Sequence, residues 1–205
     1  MSLVNTARVL RFMRAALVGS IVLPAIAIAF APAAGAVDLA GVLSATRVTP
    51  PARVAFLEER NNPMFDEPLV LTGYVEYLGP GVMRKVIESP FSETFLIDAG
   101  EIAIESDGET RKLSARSSRA LTTLLGAIEA ILSGNEEPLG SVFDYEVTGS
   151  ASDWRIELTP KARRLARHLT GVTVTGDDDA VNVIRTDLDG GESHVMRLLK
   201  DTPSQ

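Results

Sequence analysis

The side chains suited to acid–base or nucleophilic chemistry are few and scattered. His168 and His194 are the only imidazoles, and none of the 205 residues is a cysteine. A serine hydrolase needs its serine on a strained elbow, with a histidine and a carboxylate brought to it. No Gly-x-Ser-x-Gly run is present. Neither histidine has an orienting partner at a readable spacing, so both read as surface residues. Structural zinc needs three or four ligands with close local pairing, which two isolated histidines do not supply. Asp177-Asp178-Asp179 has the charge to draw a cation but reads as a solvated hairpin tip. Asp187-Leu188-Asp189-Gly190 begins like a calcium loop and lacks the third acid and the closing glutamate. Glu58-Glu59 and Glu136-Glu137 are neighbours, and neighbours on a strand point to opposite faces. Both pairs read as solubilising charge. The basic run from Lys161 to Arg167 reads as a solvated face. No Gly-rich phosphate loop occurs. These residues point to no catalytic group, metal or cofactor, and a non-enzymatic protein is expected.

Composition narrows the choice further. The chain is 45% hydrophobic and 23% charged with a net charge of −7, as in a globular protein. That acidity disfavours a phosphate backbone as partner, and 5% aromatics give little to stack on bases, so no nucleic-acid partner is expected. Charge is also uneven. The only charged residues in 1–36 are Arg8, Arg11 and Arg14. An uncharged run of 22 residues, Ala15 to Ala36, follows; it is interrupted by Pro24 and Pro32 and closes on Ala34-Gly35-Ala36. A basic start, an apolar middle and a small-x-small ending describe a secretory signal peptide, with cleavage expected after Ala36. The chain is therefore read as a signal peptide, 1–36, and one domain, 37–205, exported to the periplasm. Without cysteine the product carries no thiol-linked lipid.

The elements of that domain are legible from periodicity. Val37 to Ala45 reads as a short helix or a lead-in. Arg53–Arg60, Leu69–Tyr77, Val82–Glu88, Glu93–Asp98, Glu101–Glu105 and Glu109–Ala115 read as short antiparallel strands. They are separated by Asn61-Asn62-Pro63, Gly79-Pro80-Gly81, Ser89-Pro90, Ala99-Gly100 and Asp107-Gly108. The period then changes. Leu121, Leu124, Leu125, Ile128, Ile131 and Leu132 recur at spacings of three and four, a helical stripe. Ser117 or Ser118 can cap its start and Gly134 its end. Between Leu121 and Leu132 only Glu129 is charged off that stripe, so the helix is expected to be covered on more than one side or to cover something else. Strands resume after Gly140 at Phe143–Thr148, Trp154–Leu158, Val172–Thr175, Val181–Thr186 and His194–Leu199, with a short basic helix over Lys161–His168. An apolar helix on a curved sheet either completes a core or lids a cavity.

The order of these pieces resembles the periplasmic outer-membrane lipoprotein carriers, the LolA family, over about Phe56 to Lys200. Phe56-Leu57-Glu58-Glu59-Arg60 resembles the family's Phe-x-Glu/Gln first strand, and Gly73-Tyr74-Val75-Glu76-Tyr77 its Gly-x-Leu-x-Tyr strand. Pro80-Gly81-Val82-Met83-Arg84-Lys85 with Ser89-Pro90 is similar to its Pro-x-x-x-Arg and following proline, and Asp98-Ala99-Gly100 stands at its Asp-Gly turn. Trp154-Arg155-Ile156-Glu157-Leu158-Thr159-Pro160 resembles its Trp-x-Leu-x-Leu-x-Pro segment. The resemblance implies an α+β fold: an incomplete antiparallel β-barrel with helices over its concave apolar face. It implies a monomeric carrier that shelters acyl chains of a lipoprotein, glycolipid or other lipid, taken from an inner-membrane donor complex to an outer-membrane acceptor. In the family an arginine before the hairpin proline holds the lid shut; Gly79 stands there, so that latch is not carried over. The expected cavity walls are Phe56, Leu71, Val75, Phe95, Ile97, Ile102, Ile104, Trp154 and Ile156, with Leu121, Leu124, Leu125 and Ile128 of the helix facing them. A one-residue slip of register would invert the strand set.

Overall fold

A computed structural model describes residues 37–98, 101–113 and 119–200. Residues 1–36, read as a signal peptide, Ala99-Gly100, read as a turn, and Ser117 and Ser118, read as caps, lie outside the described residues. Within these limits the chain is a single sheet with helices on one face. Helix α1 spans Leu39–Ala45, with Asp38 capping it by accepting from the Gly41 N–H. Six strands follow: β1 Ala52–Asn61, β2 Leu69–Gly79, β3 Val82–Ser89, β4 Glu93–Asp98, β5 Glu101–Ser106 and β6 Glu109–Leu113. Two helices, α2 Arg119–Ser133 and α3 Glu136–Val142, interrupt the strands. Then come β7 Phe143–Ser150, β8 Asp153–Pro160, the single turn α4 Arg163–Ala166, β9 Leu169–Asp177, β10 Ala180–Leu188 and β11 Ser193–Leu199.

The sheet order is β6-β5-β4-β3-β2-β1-β11-β10-β9-β8-β7, antiparallel at every pairing. Every neighbour in space is a neighbour in sequence except β1 with β11, which join the two ends of the domain. The unpaired edges are β6 and β7, and α2 and α3 stand between them in the chain. The barrel is therefore open where its helices are inserted. Register shifts at Thr72/Gly73, Tyr77/Gly79, Val181/Val183 and Asp187/Leu188 bend β2 and β10, as bulges do. The result is a large curved, unclosed antiparallel sheet with few helices, the incomplete-barrel α+β fold expected.

Most element limits follow the sequence reading within a few residues. Asp107 and Gly108 both take positive φ, the backbone a two-residue hairpin turn requires. Gly134 ends α2 at φ +70, and the bonds Gly134 N–H to Ile131 O and Asn135 N–H to Ala130 O close a Schellman cap. Two readings need correction. The basic helix over Lys161–His168 shrinks to Arg163–Ala166, because Leu165 turns into the core and the chain resumes as β9. Helix α3 was not expected. Its Pro138 lies in the first turn, where a missing N–H costs nothing, and Asn135 accepts from the Glu137 N–H to cap it. Among the described residues, no helix is long and apolar enough to cross a membrane.

Candidate functional site

The inward face is set by register. Phe56 stands opposite Gly73 and Leu198; Val75 opposite Val54 and Lys85; Phe95 opposite Lys85 and Ile104; Ile97 opposite Met83 and Ile102; Ile156 opposite Val147 and Val174. All belong to one continuous face with Leu71 and Trp154. Phe56, Leu71, Ile102, Ile104, Trp154 and Ile156 are buried, and Ile97 packs against them half-buried.

That face is not filled everywhere. Between the C-terminal half of α2 and the sheet lies a cavity of about 340 Å³, at the small end of the ~300–1,000 Å³ typical of ligand sites. Ile128, Ile131 and Leu132 form its helical wall. Val54, Val75, Met83, Phe95, Val181, Ile184, Met196 and Leu198 form its sheet wall. Of the residues singled out from sequence, Val75, Phe95 and Ile128 line this hollow, whereas the remaining described ones lie in the packed core. The side chains of Leu121, Leu124 and Leu125 lie outside the described residues.

One end of the cavity is charged. Glu58, only 2% exposed, accepts from Arg60 Nε at 2.8 Å through one oxygen and from Lys85 Nζ through the other. Lys85 Nζ also sits 4.9 Å from the centre of the Phe56 ring. Arg60, His194 and Thr186 face one another across β1, β11 and β10 as a single rung. His194 Nδ1 lies 3.7 Å from Glu58, and its Nε2 pairs with Glu192 at 2.9 Å. Burial acts to raise the pKa of Glu58, but Lys85 and Arg60, by charge and by hydrogen bond, hold its carboxyl below the ordinary range. Burial pushes the Lys85 ammonium down, and Glu58 offsets part of that.

This cluster corrects two readings. Glu58 is not solubilising charge, although Glu59 on the other face remains half-exposed and pairs with Arg197. His194 is a cavity residue rather than a surface one, while His168 is exposed. Alternation along β1 implied that Glu58 shares a face with Val54 and Phe56. Nothing local indicated that Lys85, 27 residues away, would meet it. Among the described residues, no group of three or more acidic or histidine side chains is placed to hold a metal.

Two features border the cavity. At the hairpin between β2 and β3, the Gly81 N–H donates to Glu129 Oε1 of α2 at 2.7 Å. Glu129, a charged residue off the helical stripe, thus ties α2 to the sheet at the hairpin where Gly79 stands. Burial and then the Glu129 charge raise the pKa of nearby Tyr77. At the opposite end, beside the charged rung, the β1–β2 connection carries Met64 and Phe65, 87% and 71% exposed. The β3–β4 turn at that same end exposes Phe91.

A search of curated proteins finds no match to the sequence. Among solved structures, the chain is similar to a LolA superfamily protein from Nitrosomonas europaea, with 13% identity over 82% of this chain and 96% of that one and a TM-score of 0.42. It is similar to a putative outer membrane lipoprotein-sorting protein domain from Vibrio parahaemolyticus, with 10% identity over 82% and 92% and a TM-score of 0.44. The lipoprotein LppX from Mycobacterium tuberculosis matches with 14% identity over 80% and 93% and a TM-score of 0.36. A family model described as outer membrane lipoprotein carrier protein LolA-like matches residues 31–200, the greater part of the sequence. The chain belongs to this LolA-like family.

Proposed function

We propose that this protein is a non-catalytic carrier that shelters the acyl chains of a lipoprotein, glycolipid or other lipid in the cavity beneath α2. It works in the periplasm after residues 1–36 are removed, and passes its cargo from an inner-membrane donor to an outer-membrane acceptor. The observation that carries the reading is the hollow itself: a largely apolar space, charged at one end, left between a helix and a sheet whose β8–β9 wing is packed. Moving an acyl chain from water into such a space gains roughly 0.8 kcal/mol per buried CH₂, so a chain of ordinary length supplies most of the affinity a carrier requires. The Glu129–Gly81 hydrogen bond is the tie the lid would release on opening.

Native mass spectrometry of protein taken from the periplasm tests this directly. The expected spectrum shows a bound lipid in stoichiometric amount, and N-terminal sequencing of the same sample begins at Val37. A ligand-free protein that also fails to bind a fluorescent fatty acid would leave the second reading, a non-catalytic protein-binding or structural module. The exposed Met64 and Phe65 are the surface that reading would use.

A further inference from the structure

A carrier for wholly apolar cargo needs no ions in its cavity, yet this one holds Lys85, Arg60 and Glu58. Counting donors and acceptors shows what they leave over. Each carboxylate oxygen of Glu58 already accepts one bond, from Arg60 Nε and from Lys85 Nζ. An ammonium has three N–H donors and a guanidinium five. Among the described residues, Lys85 has no other hydrogen-bonded acceptor, and the terminal Nη groups of Arg60 have none. The other nearby acids do not take up the excess. Glu192 is engaged by His194. Glu93, which acts on Lys85 through its charge, forms no ion pair with it. Glu59 faces the other side and pairs with Arg197. The polar end of the cavity therefore has N–H donors in surplus, on side chains that are only partly solvated. A neutral hydrocarbon laid over them would leave each unsatisfied donor at a cost of about 1–3 kcal/mol.

We propose that the cavity takes a single-chain amphiphile with a small anionic head, a carboxylate or a phosphate. The head is held by Arg60 and Lys85, and the chain lies along Val75, Phe95, Val54 and Ile128. The inference rests on the carrier reading and specifies its ligand. The volume agrees: about 340 Å³ suits one chain better than the several of a multiply acylated lipid. Arg60 and His194 are about a quarter exposed at the side-chain level, so the head end is the end that meets solvent. The exposed Met64, Phe65 and Phe91 stand around that same end of the sheet.

The test is displacement of a fluorescent fatty acid from the mature protein by laurate, lauryl phosphate, lauryl alcohol and lauryl trimethylammonium. Wild type is expected to bind at least one anionic probe about tenfold more tightly than the alcohol, the gain of one charge-assisted hydrogen bond. Which anion gains more names the head group. Arg60→Gln should bring the anions to the level of the alcohol and leave the alcohol within about twofold, since only the polar contact is lost. If the alcohol matches the anions in wild type, or the ammonium binds best, the head-group assignment is overturned and the carrier reading stands. If no probe binds, both fall. The wild-type ranking decides even where Arg60→Gln lowers the yield of folded protein.

Discussion

On the β7–β9 wing the inward side chains are Trp154, Ile156, Leu158, Val172 and Val174, and all are buried among one another. At the centre of the same face, Val54, Val75, Val181 and Leu198 look across a gap toward α2. The wing is filled because its bulk is matched to room made for it. Trp154 stands between Gly149 and Gly176 on its neighbouring strands, and a Cβ at position 176 would lie 2.2 Å from the indole. Helix α3 packs on β7 and buries Leu139. The centre is hollow where Val54, Val75 and Val181 turn short side chains toward the helix and a charge cluster occupies one end. One sheet can thus be core and container at once, and side-chain volume along a single face decides which.

The same polar substitution placed in each region should separate them most sharply. Ile156→Asp buries an unpaired carboxylate in packed core, and a loss of about 4–5 kcal/mol or more is expected, enough to abolish a cooperative thermal transition. Ile128→Asp places its carboxylate at the hollow, which leaves room for hydrating water that packed core does not. It should retain a cooperative melt while losing fatty-acid binding. Equal unfolding of both variants would mean that the centre is core as well.

The charged end offers a second comparison. Glu58→Gln leaves Lys85 buried without its counter-ion, and a cost of about 3–5 kcal/mol is expected from denaturant midpoints. The double change Glu58→Gln with Lys85→Met should cost less than the single one, because no orphan charge remains. The pH dependence has a definite sign. Glu58 is held below the ordinary carboxylate range in the fold. Its stabilisation is therefore fully present above that range and is lost as pH falls through the folded-state value. Lys85 is also shifted down, so stability rises with pH between its folded value and that of an ordinary lysine. Urea midpoints across pH should show the acid loss in wild type and a flatter acid limb in Glu58→Gln.

Smaller effects sharpen the picture of the hollow. Val54→Phe adds volume where space exists, so its stability cost is expected within about 1 kcal/mol, below the ~1–3 kcal/mol of overpacking a filled core. Displacement assays should nevertheless show weakened acyl binding. Glu129→Ala removes the tie from α2 to the β2–β3 hairpin and should cost about 1 kcal/mol. Its larger expected effect is kinetic: faster release of a bound fluorescent fatty acid in stopped flow.

Strand limits, hairpin turns and the α2 stripe were readable because they depend on local periods and on residues such as Asp107, Gly108 and Gly134 that accept positive φ. Alternation put members of each strand from Phe56 to Ile156 on a shared face, but only the register of the assembled sheet decided which face turns inward. Helix α3 was missed because it is seven residues long and buries Leu139 alone, too little for a helical period to show. The burial of Glu58 and the cavity role of His194 were missed because charge in a strand reads as solvent exposure until its partner is known. The alternating pattern by itself determined that this chain makes an antiparallel sheet with one apolar face and one apolar helix to cover it. Only the tertiary structure decided that β1 pairs with β11, that the sheet opens between β6 and β7, and that Lys85 meets Glu58 inside a space left unfilled. Pairings between distant segments, and the volume that remains between packed elements, are properties of the assembled fold rather than of any local stretch of sequence.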